Sequence, residues 1–215
     1  VEISKKHKSR LKAEFSTDLD VQRIKGYIGF FITNFESLSE IEKTELLENT
    51  EIIGIQLIPT KEAKETKKRF SENRKDCGIL ISDDISDIDY KVHSSYSKDR
   101  LLLAVRLLIG AFPDKNYFVI DNDTEIYNSN AFAYLESEFN KRGYKIIPTH
   151  KFDLIEGESE ELVIHKFKTI SKKAFEGQNI LFELTYDNYK KIQNPLKELK
   201  KKGVKVMYPS NILTD

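Results

Sequence analysis

The chain has one cysteine, no tryptophan, five prolines and nine glycines in 215 residues. A lone thiol, Cys77, makes no internal disulfide and no thiolate metal cluster. That disfavours a secreted disulfide scaffold and makes a reducing compartment, cytoplasm or nucleus, the expected one. The nine glycines spell neither Gly-x-Gly-x-x-Gly nor Gly-x4-Gly-Lys-Ser/Thr, since Gly26, Gly29 and Gly54 fall within or just before apolar runs. A dinucleotide or ATP phosphate cradle built on such a loop is therefore disfavoured. An excess of one charge is missing too: 35 Lys+Arg offset 35 Asp+Glu, which removes the bulk polycation class of nucleic-acid binder. No apolar run reaches the roughly 18 residues that suggest a membrane span. The longest, Leu101 to Phe112, is interrupted by Arg106 and reads as a buried helix, so no membrane partner is expected. His7, His93, His150 and His165 show no metal-ligand spacing among themselves.

What is present is a chain of one-domain size, 33% charged but with Ile, Leu, Val and Phe spread along its length, which is enough to build a core. It opens on Val1 rather than Met, as a piece of a longer protein would, so targeting is not readable. Residues 1–20 are expected to be a basic N-terminal extension, with the run Lys5-Lys6-His7-Lys8-Ser9-Arg10-Leu11-Lys12, and 21–215 a single domain. Two further local basic patches, Lys61 to Lys75 and Lys197 to Lys205, offer contacts to a nucleic acid or nucleotide, or to other protein subunits. As a mixed Lys/Glu run, Lys61 to Lys75 reads first as a solvated helix face with i,i+4 pairs.

Apolar strand-like runs alternate with helical ones, the pattern of a parallel sheet covered by helices. The fold class expected is α/β: a three-layer, Rossmann-like domain with a central, mostly parallel sheet flanked by helices. Strands are expected at Tyr27 to Thr33, Ile52 to Ile58, Cys77 to Ile81, Asn116 to Asp121, Tyr144 to Ile147, Asn179 to Thr185 and Val204 to Tyr208, with a short edge strand at Tyr90 to His93. Helices are expected at Ser39 to Asn49, Thr60 to Asn73, Ser97 to Ala111, Asn130 to Arg142, Leu162 to Ala174 and Asp187 to Lys202. Ser39 and Glu42 have the spacing of a capping box. Gly143 and Gly203, each after Lys/Arg and before a strand, read as helix stops. Phe152 to Glu161, acidic and glycine-containing, reads as an exposed loop.

In open α/β sheets ligands bind beyond the carboxyl ends of the strands. The residues there are Asn34; Thr60; Ser82, Asp83 and Asp84; Asp121 and Asp123; Tyr186 and Asp187. If the strands are parallel neighbours, Asp83 or Asp84 approaches Asp121 and Asp123, a hard-oxygen set suited to Mg²⁺ or Mn²⁺. Such an ion polarises a phosphate and activates water, with Lys91 as a phosphate contact. The alternative role of these aspartates is to close Asx turns or cap the next helix.

The stretch Val119-Ile120-Asp121-Asn122-Asp123-Thr124 resembles the Asp-x-Asp-x-Thr start of haloacid-dehalogenase-type phosphatases and the metal-binding Asp-x-Asp of nucleotide-sugar transferases. Ser86-Asp87-Ile88-Asp89 resembles the Ser-Asp-x-Asp strand of polymerase-β-type nucleotidyltransferases, although that family's Gly-Ser is replaced here by Gly78-Ile79. Asp89-Tyr90-Lys91 is similar to the Asp-x-Lys of restriction-type nucleases. Each resemblance covers a short segment and implies metal-assisted chemistry on phosphates. Two functions are expected from the sequence: a divalent-metal-dependent enzyme acting on phosphodiesters or nucleotides, or a non-catalytic recognition or scaffold domain of a larger assembly.

Overall fold

A computed structural model describes residues 2–5, 8–12, 25–113 and 117–214. Near the N-terminus β1 (Glu2–Lys5) pairs antiparallel with β2 (Lys8–Lys12). The remainder of the expected basic extension lies outside the described residues.

From residue 25 the chain alternates strand and helix. The order is β3 (Tyr27–Ile32), α1 (Glu40–Glu48), β4 (Gly54–Leu57), α2 (Ala63–Glu72), β5 (Asp76–Ile81), α3 (Lys98–Ala111), β6 (Tyr117–Ile120) and α4 (Asn130–Asn140). Then come β7 (Ile146–Pro148), β8 (Asp153–Ile155), α5 (Glu160–Phe175), β9 (Ile180–Leu184), α6 (Tyr186–Lys191), α7 (Gln193–Lys201), β10 (Lys205–Val206) and α8 (Pro209–Thr214). The strands form one sheet in the order β7-β6-β5-β4-β3-β9-β8, with β10 also on β3, and every pairing is parallel. The fold is thus α/β, a parallel sheet flanked by helices, as the alternation implies.

The connection from β7 to β8 sets the curvature. These strands are the two ends of the sheet order, yet only residues 149–152 separate them. That much chain spans at most about 18 Å, whereas seven strands laid flat would put the two edges about 29 Å apart. The sheet therefore curls towards a barrel, with helices outside and a second, smaller core within.

Alternate residues of each strand serve the two cores. Outside, Phe30 packs against Phe182 at 5.8 Å, Tyr189 at 5.3 Å and Phe167 at 6.3 Å between ring centroids. Inside are Phe31, Tyr117, Val119, Ile147, Phe152 and Leu181. Phe31 stacks on Phe152 at 5.2 Å and meets Tyr117 at 5.8 Å. Gly78 makes room for them, because a Cβ there would lie 2.7 Å from the rings of both Phe31 and Tyr117. Helix α8 closes the amino end of this inner space. Its Pro209 fills the position a Cβ on Gly54 would need, and its Ser210 amide donates to the Asp76 carboxylate at 2.7 Å. Burial pushes the Asp76 carboxyl above its usual range, against the opposing pull of the Ser210 and Cys77 donors. Cys77 itself is buried, and burial pushes its thiol up.

The local signals act as their chemistry predicts. The Ser39 side chain accepts from the Glu42 amide while Glu42 accepts from the Ser39 amide, a complete capping box. Ser97, Ser129, Ser159 and Thr185 cap α3, α4, α5 and α6. Gly143 and Gly203 take φ of +80° and +89° after α4 and α7. Three expectations differ. The helix expected over Asp187 to Lys202 breaks at Ile192 into α6 and α7, because the ring of Pro195 conflicts with a helical Lys191 carbonyl. Tyr90 to His93 forms no strand: a turn ends at Tyr90, and the Val92 amide donates to Ser82 O, just past β5, at 3.3 Å. The loop expected over Phe152 to Glu161 contains β8, held by pairing with β9 and by buried Phe152 and Ile155.

Candidate functional site at the carboxyl mouth of the barrel

Because all the strands of the curled sheet run the same way, the segments that follow them converge at one end of it. The turn after β3 is held by Asn34, whose side-chain oxygen accepts the Tyr186 amide at 2.8 Å. Beside it Glu36 accepts the Ile58 amide at 3.3 Å, and burial raises its carboxyl. The Thr60 hydroxyl caps the start of α2 through the Ala63 amide at 3.2 Å. These groups build the rim.

The rest of the mouth is acidic. Asp121 follows β6 and its Oδ1 accepts the Asp123 amide at 3.0 Å, an Asx turn. Thr149, just after β7, donates to Asn122 Oδ1 at 2.6 Å and lies 3.3 Å from Asp121 Oδ1. The Asn122 side chain donates to Asp123 Oδ1 at 3.0 Å. So the Asp-x-Asp pair is engaged in turn chemistry on its own loop. Asp84 and Ser82 likewise close a turn, the Ser82 hydroxyl accepting the Asp84 amide at 3.0 Å. Lys91 lies in the turn after Asp87, its amide donating to Asp87 O at 3.0 Å. Among the described residues no hydrogen bond or ion pair links the Lys91 side chain to Asp121 or Asp123.

Two groupings at this mouth were not legible as pairs in the sequence. The first centres on Glu183, which stands in β9 in register with Phe31 of β3 and Leu154 of β8. Two residues after the inward Leu181, it lies on the inner face of the curled sheet. Burial, reinforced by the carboxylates of Asp121 and Glu156, pushes its pKa up to about 7. The second joins Asp83 after β5, His93 in the following turn and Glu125 after β6, whose ligand atoms all lie within 4.8 Å of one another. Here Asp83 meets a nitrogen donor, and the grouping includes neither Asp84, Asp121 nor Asp123. The His93 Nδ1 accepts the Ser95 amide at 3.1 Å and lies 2.8 Å from the Ser95 hydroxyl. The Ser94 hydroxyl donates to Glu125. One signal for Glu183 was available: a lone carboxylate in the apolar strand Ile180-Leu181-Phe182-Glu183-Leu184 is costly unless the barrel interior uses it.

No protein-family model matches the chain, and no curated protein matches it in sequence. Solved structures do match in fold. A CE4 family pseudoenzyme from Bacillus anthracis, BA3943, superposes with a TM-score of 0.52 at 14% identity, over 88% of this chain and 66% of that one. The chain thus spans about two thirds of that neighbour's length. A mutant of the same protein described as having restored enzymatic activity aligns with a TM-score of 0.52 at 13% identity, over 88% and 68%. The uncharacterized protein ATU2773 from Agrobacterium tumefaciens C58 aligns with a TM-score of 0.56 at 10% identity, over 88% and 90%. At such identities the likeness is one of fold. Among the described residues no helix is long and apolar enough to cross a membrane.

Proposed function

We propose that this protein is a divalent-metal-dependent, hydrolase-like enzyme working at the carboxyl mouth of the barrel. In this reading Glu183 gives and takes the proton, with Asp121 beside it. The observation that carries the proposal is the Glu183 carboxyl, held near pKa 7 inside the mouth and facing Asp121 and Glu156. A carboxyl raised towards neutrality is what general acid–base chemistry at neutral pH requires. The CE4 family neighbours support the reading, since a fold of this kind is described there with enzymatic activity restored in a mutant.

The sequence pointed to phosphodiesters or nucleotides as substrate, with Mg²⁺ or Mn²⁺ and with Lys91 on the phosphate. Among the described residues no Lys or Arg is ion-paired to Asp83, Asp121, Asp123, Glu125, Glu156 or Glu183. Such a mouth repels a phosphate anion until a cation is bound. A neutral ester or amide substrate suits it better, and we place the phosphodiester second. The scaffold reading keeps one specific support, the Asx turn that occupies Asp121.

The test is hydrolysis of p-nitrophenyl acetate and of bis-p-nitrophenyl phosphate, each with Zn²⁺, Mn²⁺ or EDTA. We expect metal-dependent cleavage of the ester with a pH limb near 7, and a loss of roughly 10²–10⁴-fold in Glu183→Gln. Activity on the phosphodiester alone would restore the nucleotide reading. Inactivity on both, in a folded protein, would leave the scaffold.

A further inference from the structure

We propose that Asp83, His93 and Glu125 form a divalent-cation site whose nitrogen donor makes it selective for zinc over magnesium. The proposal deepens the metal-dependent reading above by naming the ion's ligands, and it rests on that reading only for the chemistry the ion would support.

Topology brings the three together. β5 and β6 are adjacent and parallel, so Asp83, two residues past β5, and Glu125, in the loop that follows β6, lie at the same end of the sheet. His93 is returned to them by the turn that the Val92 amide ties to Ser82 O. Around a tetrahedral ion, donors at the 2.0–2.2 Å that nitrogen and carboxylate ligands take on zinc lie about 3.3–3.6 Å apart. The observed separations, up to 4.8 Å, close to that by side-chain movements of about 1 Å. Two carboxylates and a neutral imidazole together carry the charge that a divalent cation neutralises.

Ser94 and Ser95 supply the outer contacts that such ligands need. Nδ1 accepts the Ser95 amide at 3.1 Å, which leaves the ring proton on Nε2. An ion taken up at Nε2 would send that proton to Nδ1, which then gives up the Ser95 amide and donates to the Ser95 hydroxyl at 2.8 Å. The Ser94 hydroxyl fixes one Glu125 oxygen. Asp83 and His93 are half-buried and Glu125 is exposed, which leaves coordination positions towards solvent, the mark of a working rather than a structural ion. An imidazole donor shifts preference from the magnesium of an all-oxygen set towards zinc.

Calorimetric titration of Zn²⁺, Mn²⁺ and Mg²⁺ into the whole chain tests this, with Co²⁺ absorption as an independent report of nitrogen ligation and circular dichroism as a folding control. We expect one Zn²⁺ per chain, with Mg²⁺ at least about tenfold weaker. His93→Ala and Asp83→Asn should abolish binding, and Ser95→Ala should weaken it by about 10–100-fold. The inference is overturned if the wild type binds no Zn²⁺, if folded His93→Ala binds as wild type does, or if binding is lost only in Asp121→Asn/Asp123→Asn. Binding that behaves as expected in a protein without hydrolytic activity upholds the site and removes the hydrolase reading. Hydrolysis that depends on Glu183 but is indifferent to His93 does the reverse.

Discussion

At the scale of single residues, the inner core shows how tightly two side-chain choices are coupled. Gly78 lies opposite Tyr117 in the β5–β6 register, and the space a methyl would take is already filled by aromatic rings. Gly78→Ala should cost about 1–3 kcal/mol in urea unfolding, the range for overpacking. Tyr117 is the instructive contrast. Its hydroxyl is buried with no hydrogen-bond partner among the described residues, so Tyr117→Phe should be neutral or stabilise by up to about 1 kcal/mol. A clear loss of stability in that variant would show that the hydroxyl has a partner. Sequence reading reached these positions only as apolar strand residues. That Gly78 yields its volume to Phe31 and Tyr117 depends on the barrel's curvature, which periodicity does not encode.

At the scale of elements the sequence was most legible where chemistry is local. The Ser39–Glu42 box and the glycine stops follow from neighbours within one or two turns. Ser39→Ala should therefore lower stability by about 0.5–2 kcal/mol, read as a shift in urea midpoint with unchanged slope. Legibility failed where a partner far along the chain decides the outcome. β8 is a strand because β9 pairs with it, and its three residues alone read as loop. The site divides the same way. Asp83, Asp121 and Asp123 were found because they follow strands, and the two aspartates of the pair do close a turn. Glu183, Glu156, His93 and Glu125 come from segments whose convergence only the tertiary structure supplies.

At the scale of the whole molecule, the mouth concentrates carboxylates at one end of a chain with zero net charge. Its cost should appear as a pH dependence of folding. Glu183 has a folded-state pKa of about 7 against a usual 4.5, so the folded state holds its proton more tightly than the unfolded state does. Stability from this group is fully present below about pH 4.5 and is lost as pH rises through 7. The expected outcome is a Tm difference between wild type and Glu183→Gln that grows from pH 5 to pH 8, with the variant the more stable at pH 8. A gain of 1 kcal/mol would move Tm by about 2–4 °C in a chain of this size. A constant difference across that range would mean that Glu183 titrates normally.

The short connection between β7 and β8 curls the sheet, but β3 is where the curl is sealed, and this has a consequence in time. β3 finds β4 almost at once, whereas its other edge waits for β9, and the Asn34 side chain just beyond it waits for the Tyr186 amide 152 positions later. At about 5–20 residues per second of synthesis, the first strand of the barrel spends about 8–30 s with an unsatisfied edge before its partner leaves the ribosome. During that interval Ile28, Phe30 and Ile32 belong to a half-built sheet, the kind of surface that holding chaperones recognise.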